Sequence, residues 1–162
     1  MAACLADDHL SALASQEAAL THLDPLAGDV AAATVVLCRS LVKGMDWPAA
    51  LRQAAAERQE PTREALLGGK AVPLRSGGFA PVALRAAIFF VSTHAGFAAA
   101  LEAALAFAGP ANYCPVLVGA IAGARWGREG IPATMLRHCD ILSRVQTATE
   151  ALADSWDPRG SQ

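Results

Sequence analysis

Residues 80–108 read APVALRAAIFFVSTHAGFAAALEAALAFA. The stretch divides between Thr93 and Phe97. Before the division, Val82, Leu84, Ala86, Ala87, Ile88, Phe89, Phe90 and Val91 surround a helix with apolar side chains, and a helix apolar on every side belongs in the middle of a bundle. Beyond Gly96-Phe97 alanine dominates up to Ala108. Alanine has the best intrinsic helix propensity and loses no side-chain entropy on folding. The same composition runs through the chain, where 38 of 162 residues are alanine, 54% are hydrophobic and 17% are charged. That apolar share excludes a disordered segment. The length suits one compact domain able to bury roughly 70% of its extended surface. No segment alternates with the period of a strand. These features predict an all-α, compact multi-helix bundle.

Outward from this stretch, Gly109-Pro110-Ala111-Asn112-Tyr113-Cys114 forms a tight connection and Pro115 begins the next helix. Its Val118-Gly119-Ala120-Ile121-Ala122-Gly123-Ala124 presents small residues that admit a neighbouring backbone. Trp126-Gly127 closes it, Pro132 opens a short connecting turn, and an amphipathic helix is expected over 138–156. Towards the N-terminus, residues 68–78 (GGKAVPLRSGG) form one long glycine-rich loop, a kind that is more often functional than not. Thr62 is the expected cap of a short helix ending at Leu67. Asp46-Trp47-Pro48 opens a helix with Asp46 as N-cap and Pro48 in the first turn, where its missing N–H costs little. Leu26, Val30, Ala33, Leu37 and Leu41 mark a helix over 26–43, with Gly44 as C-cap, and another covers 3–19. The expectation is a single helical domain over 1–156 with about six to eight helices and a frayed tail, 157–162.

With 13 basic and 15 acidic residues the net charge is −2. No basic patch tracks a phosphate backbone, so nucleic acid is not an expected partner. Cys4, Cys38, Cys114 and Cys139 lie far apart with no C-x-x-C, as buried small hydrophobes in an intracellular protein do. The N-terminus carries Asp7 and Asp8 where a signal peptide would carry positive charge. No uncharged apolar run reaches the ~18 residues of a spanning helix. The reading is a cytoplasmic protein without a membrane segment.

Two stretches together resemble the ADP-ribosylglycohydrolase family. Thr21-His22-Leu23-Asp24-Pro25, an alanine/valine helix and Asp46-Trp47-Pro48-Ala49-Ala50-Leu51 are similar to its T-H-x-D-P-like turn and the helical segment next to it. Ser76-Gly77-Gly78-Phe79 through Trp126-Gly127 is similar to its G-x-G-Y, helix, S-F-x-x-A-L, helix, G-G-D-T-D-T and A-G-A-x-A-G-A-x-Y-G. The resemblance spans roughly residues 10–155 and implies the C-terminal part of that all-helical fold, whose ancestral chemistry is hydrolysis of ADP-ribose from modified protein side chains, organised by two Mg or Mn ions.

Two departures bear on that chemistry. The family domain is about twice as long, and its acidic S/T-D-D-T metal motif has no counterpart before residue 10; Asp7-Asp8 belongs at a helix start, where acids meet the positive end of the dipole. Anchoring on Gly119–Ala124 places Pro110 and Asn112 at the two aspartates of G-G-D-T-D-T and Tyr113 at its last threonine. Hard cations need several anionic oxygens, which proline and asparagine do not supply. The resemblance therefore implies no metal, no catalytic residue, and space filled by Pro110 and Tyr113.

A residual ligand site would comprise His22 beside a phosphate or ribose, Ser76, Gly77, Gly78 and Phe79 before a helix N-terminus, and Asn112, with Arg75 and Arg85 flanking the loop. Its ligand would be ADP-ribose or an ADP-ribosylated protein. His9, His94 and His138 have no partner at metal-ligand spacing and are assigned structural or surface roles. Three readings remain: a metal-free relative inactive alone, which keeps ADP-ribose binding or acts only as a structural or interaction module; a subunit of a split or oligomeric hydrolase whose metal ligands come from another chain; and a frameshifted or truncated gene product. All predict that a homo-oligomer or partner chain covers exposed apolar helices, the 80–93 segment being the expected surface.

Overall fold

The computed structural model describes residues 6–69, 73–108, 113–137 and 139–155. These form nine α-helices: α1 (Asp7–Ala18), α2 (Pro25–Val42), α3 (Trp47–Ala55), α4 (Glu60–Leu67), α5 (Ala80–Thr93), α6 (Phe97–Ala108), α7 (Tyr113–Trp126), α8 (Ala133–Leu136) and α9 (Leu142–Ser155), with a 3-10 turn at Arg128–Gly130 before α8. No strand occurs among the described residues. The fold is all-α, in more pieces than expected because the connecting turn at Pro132 winds into the one-turn α8. The expected tail lies outside the described residues.

α2 and α5 are the central helices. α2 packs against α1, α3, α5 and α7, and α5 against α4, α6 and α7. α2 is the one described helix long and apolar enough to cross a membrane by length and composition. Yet it carries Asp29 and Arg39, and Val30, Ala33, Leu37 and Leu41 are buried in the core. Alanines at full burial (Ala33, Ala50, Ala86, Ala100, Ala104) let the helices approach closely around Leu37, Leu84, Val91 and Ile121. At the α1–α2 crossing Gly28 plays the same part. A Cβ there would lie 3.4 Å from Ser15 Cβ, and Ser15 Oγ donates to the Gly28 carbonyl at 3.1 Å.

Burial overturns one expectation. From Pro81 to Val91 all of α5 is buried except Val82 and Phe89, which are half-buried, so the 80–93 segment is interior to this chain and offers no face for self-association. Its apolar circumference is satisfied by α2, α4, α6 and α7. Exposed apolar side chains lie elsewhere, among them Leu20 and Leu23 between α1 and α2, Tyr113 and Val116 on α7, Leu105 on α6, and Val145 and Leu152 on α9. α9 is amphipathic as expected, but Ser143–Asp154 is exposed throughout.

The helix ends follow the sequence closely at two places. Asp24 accepts from the Leu26 N–H at 2.9 Å, and Asp46 accepts from the Ala49 N–H at 2.8 Å, with Pro25 and Pro48 in the first turns. Gly44 (φ 83°) follows the C-cap Lys43, one step beyond the expected position. Asp46→Ala is expected to cost about 1 kcal/mol, measured as a lowered urea midpoint at unchanged m-value.

Two starts differ. α4 begins at Glu60, not at a Thr62 cap, because Pro61 fits the first turn and the preceding Gln59 N–H is met by Asp29 Oδ2 at 3.0 Å. Thr62 is fully buried within the helix, and its hydroxyl has no partner among the described residues. α7 begins at Tyr113, leaving Pro115 inside its first turn. Asp29 also faces Arg58 at 3.5 Å, both nearly buried, and Arg58 donates to Ser11 Oγ at 2.9 Å, which ties α1, α2 and the α3–α4 turn together.

Candidate functional site

A cleft of about 590 Å³ opens between the α1–α2 turn, the inner face of α2, the start of α5 and the start of α7. Three local features build it. Pro25 with its Asp24 cap halts α1 and restarts the chain as α2, which sets Thr21 and His22 on the rim. Gly77 holds φ at 149°, a conformation open to glycine, and turns the loop into α5. Gly78 then lies against the Tyr113 ring. A Cβ on Gly78 would stand 3.4 Å from Tyr113 Cε2, so a side chain there would press on the ring.

Val30, Ala31, Ala83 and Leu117 give the cleft apolar walls. Its polar groups are few. His22 Nδ1 sits 2.9 Å from Thr21 Oγ1. The Thr34 hydroxyl is turned back to its own helix, donating to the Val30 carbonyl at 2.8 Å. Glu17 is the one carboxylate among the described walls.

The structure therefore brings His22 and Gly78 together with Tyr113. Gly77 adjoins them through the backbone. Ser76 and Phe79 are exposed and line no part of this cleft. Phe79 faces a second, smaller hollow with Arg75 and Arg85. Asn112 and Pro110 lie outside the described residues, as do His138 and Cys4. The reach of Tyr113 over Gly78 has a sequence signal, a lone tyrosine at the start of a helix opposite a Gly-Gly pair. Arg75 and Arg85, expected to flank the loop, both line that second hollow and no part of this cleft, Arg85 from a buried position on α5.

The donor set does not fit a pair of divalent cations. Mg and Mn take several anionic oxygens, whereas among the described residues this cleft presents one carboxylate, an imidazole, two hydroxyls spoken for locally and a phenol. Among the described residues no three His, Cys, Asp or Glu side chains gather as a metal-ligating group. Asp7 is committed elsewhere, to Lys43 Nζ at 2.6 Å and Arg39 Nη1 at 2.8 Å. Its carboxyl is held below the usual value chiefly by the Lys43 hydrogen bond, with burial opposing and Arg39 assisting. Cys38 and Cys114 supply no nucleophile either. Burial pushes Cys38 and Cys114 up to about 11, where the thiolate is scarce at neutral pH.

Comparison with known proteins gives a consistent picture. A family model described as ADP-ribosylglycohydrolase matches residues 1–162. A solved chain described as an ADP-ribosylglycohydrolase-related protein complex is similar with a TM-score of 0.85 and 25% identity, over 95% of this chain and 56% of that one. This chain thus spans little more than half of the solved chain it matches. The comparison with curated proteins gave no match.

Proposed function

The chain belongs to the ADP-ribosylglycohydrolase family, and from that premise we propose that it holds ADP-ribose, free or on a modified side chain, in the His22–Tyr113 cleft without cleaving it. The observation that carries this reading is the cleft itself. Its volume falls within the range of ordinary ligand sites, mostly apolar with a few polar groups. Its one described carboxylate leaves a divalent cation without an anionic cage. The Tyr113 ring, 56% exposed and backed by Gly78, supplies a face for a flat group, and His22 on the rim supplies a donor for a phosphate or hydroxyl oxygen.

Calorimetry tests it. ADP-ribose is expected to bind saturably with an affinity that Mn or Mg leaves unchanged. Tyr113→Ala is expected to weaken binding about tenfold through loss of the aromatic contact. Release of free ADP-ribose from a modified protein on adding Mn would overturn the reading, as would no detectable binding.

A second reading is that another chain completes the site. Two observations favour it: the match covers 56% of the solved chain, and Leu20, Leu23 and Val116 around the cleft are 81%, 101% and 66% exposed. On that reading light scattering gives more than one chain per particle, and Mn-dependent hydrolysis appears only with the second chain present.

A further inference from the structure

Arg85 stands alone in the apolar run of α5. Arg85 is 7% exposed, and its Nε and Nη2 are buried with no hydrogen-bond partner among the described residues. A buried guanidinium left unpaired is costly, because the charge loses water and receives nothing in return. Arg85 lines a hollow of about 230 Å³ between α4, α5 and the segment leading to α5. Exposed Arg75 lines the same hollow, and so does Glu64. The rest of the wall is Pro61, Ala65, Pro73, Phe79, Pro81 and Val82, in which the three prolines offer no backbone donor.

We infer that this hollow is a binding site for a small monoanionic carboxylic acid with an apolar body, its carboxylate held by Arg85 and Arg75. Three features select that class. A guanidinium N–H pairs with a carboxylate through a charge-assisted hydrogen bond, stronger than a neutral one. Two arginines and one glutamate leave the hollow a single net positive charge, which suits a monoanion over a phosphate dianion. The volume lies below that of drug-sized ligand sites, and proline, valine and phenylalanine walls favour a compact apolar body. Burial pulls the Arg85 pKa down and the Glu64 field opposes that fall; a guanidinium carries its charge at neutral pH. The site is separate from the His22–Tyr113 cleft and stands whether or not that cleft binds ADP-ribose.

The probe is benzoate, with benzamide as its neutral isostere, read by calorimetry and thermal melting of the full chain. Benzoate is expected to bind saturably and raise Tm, and benzamide to do neither. Arg75→Ala, on an exposed position, is expected to weaken benzoate about tenfold. Arg85→Met is expected to abolish binding while the protein still folds, since an apolar replacement for a buried unpaired charge is often neutral or stabilising. Glu64→Gln is expected to tighten binding by removing a like charge. Equal effects of benzoate and benzamide would overturn the proposal, as would full binding by Arg85→Met. So would loss of binding in Arg52→Ala with Arg75→Ala unaffected, because Arg52 lines only the neighbouring hollow that Arg85 also borders.

Discussion

Leu37→Ala is expected to lower the unfolding free energy by about 3–5 kcal/mol, the upper part of the range for a buried leucine. Leu37 is fully buried in the middle of α2, the helix against which α1, α3, α5 and α7 all pack. The cost of such a truncation depends on how far the neighbours can move into the space. Here the core is rich in alanine, including Ala33, Ala50, Ala54, Ala86 and Ala87, and a methyl group has no rotamer with which to follow. The cavity stays, and its lining loses dispersion contacts outright. Against a total stability of about 5–15 kcal/mol, one substitution of this size removes a large share. Leu105→Ala, on a side chain 54% exposed on α6, is the control and is expected to change stability by less than about 0.5 kcal/mol. Urea unfolding of both variants checks the pair; equal costs would show that the core relaxes freely around α2.

How much of this was legible in the sequence depends on the kind of signal. Helix starts were readable where a short acidic side chain precedes proline, as at Asp24 and Asp46, since both requirements are local. Thr62 misled because a threonine three residues before an apolar pair suits an N-cap and a helix interior equally. Only Asp29, thirty residues away, decides the start of α4 by meeting the Gln59 N–H. The all-round apolar pattern of α5 correctly signalled a central helix, but periodicity alone could not say that α2, α4, α6 and α7 cover it completely. The reverse holds for α9, whose amphipathic spacing promised a packed face and whose residues from Ser143 to Asp154 are exposed.

The candidate site divides in the same way. The turn at Thr21–Pro25 and the Gly77-Gly78 pair are local devices, and they meet at one cleft. Ser76 and Phe79 are sequence neighbours of Gly78, yet they leave it, because Gly77 (φ 149°) redirects the chain at that point. A lone arginine in an apolar run was visible as Arg85, but its unmatched nitrogens are a property of packing.

The other large effect is expected at Arg125, whose role lies wholly in tertiary contacts. Its guanidinium lies over the Trp47 ring at 4.6 Å and the Trp126 ring at 4.9 Å from the centroids. Its Nη1 donates to the Val91 carbonyl at 2.5 Å. The last turn of a helix leaves carbonyls without intrahelical donors. At the end of α5 side chains fill that need, with His94 Nδ1 beside the Phe90 carbonyl at 2.9 Å and Arg125 on Val91. A cation there also meets the negative end of the helix dipole. Arg125 thus joins α3, α5 and α7 at one point. A charge-assisted hydrogen bond contributes about 1.5–3 kcal/mol and a partly desolvated cation–π contact about 0.5–2 kcal/mol. These share one group and do not add in full, so Arg125→Ala is expected to cost about 3 kcal/mol. Arg125→Lys retains the charge but not the planar group that stacks on an indole while donating sideways, and it is expected to recover less than half of the loss. Urea unfolding followed by tryptophan fluorescence reads both the stability and the indole environment. A lysine variant as stable as the parent would show that charge at the end of α5 suffices and that the two tryptophans contribute only packing.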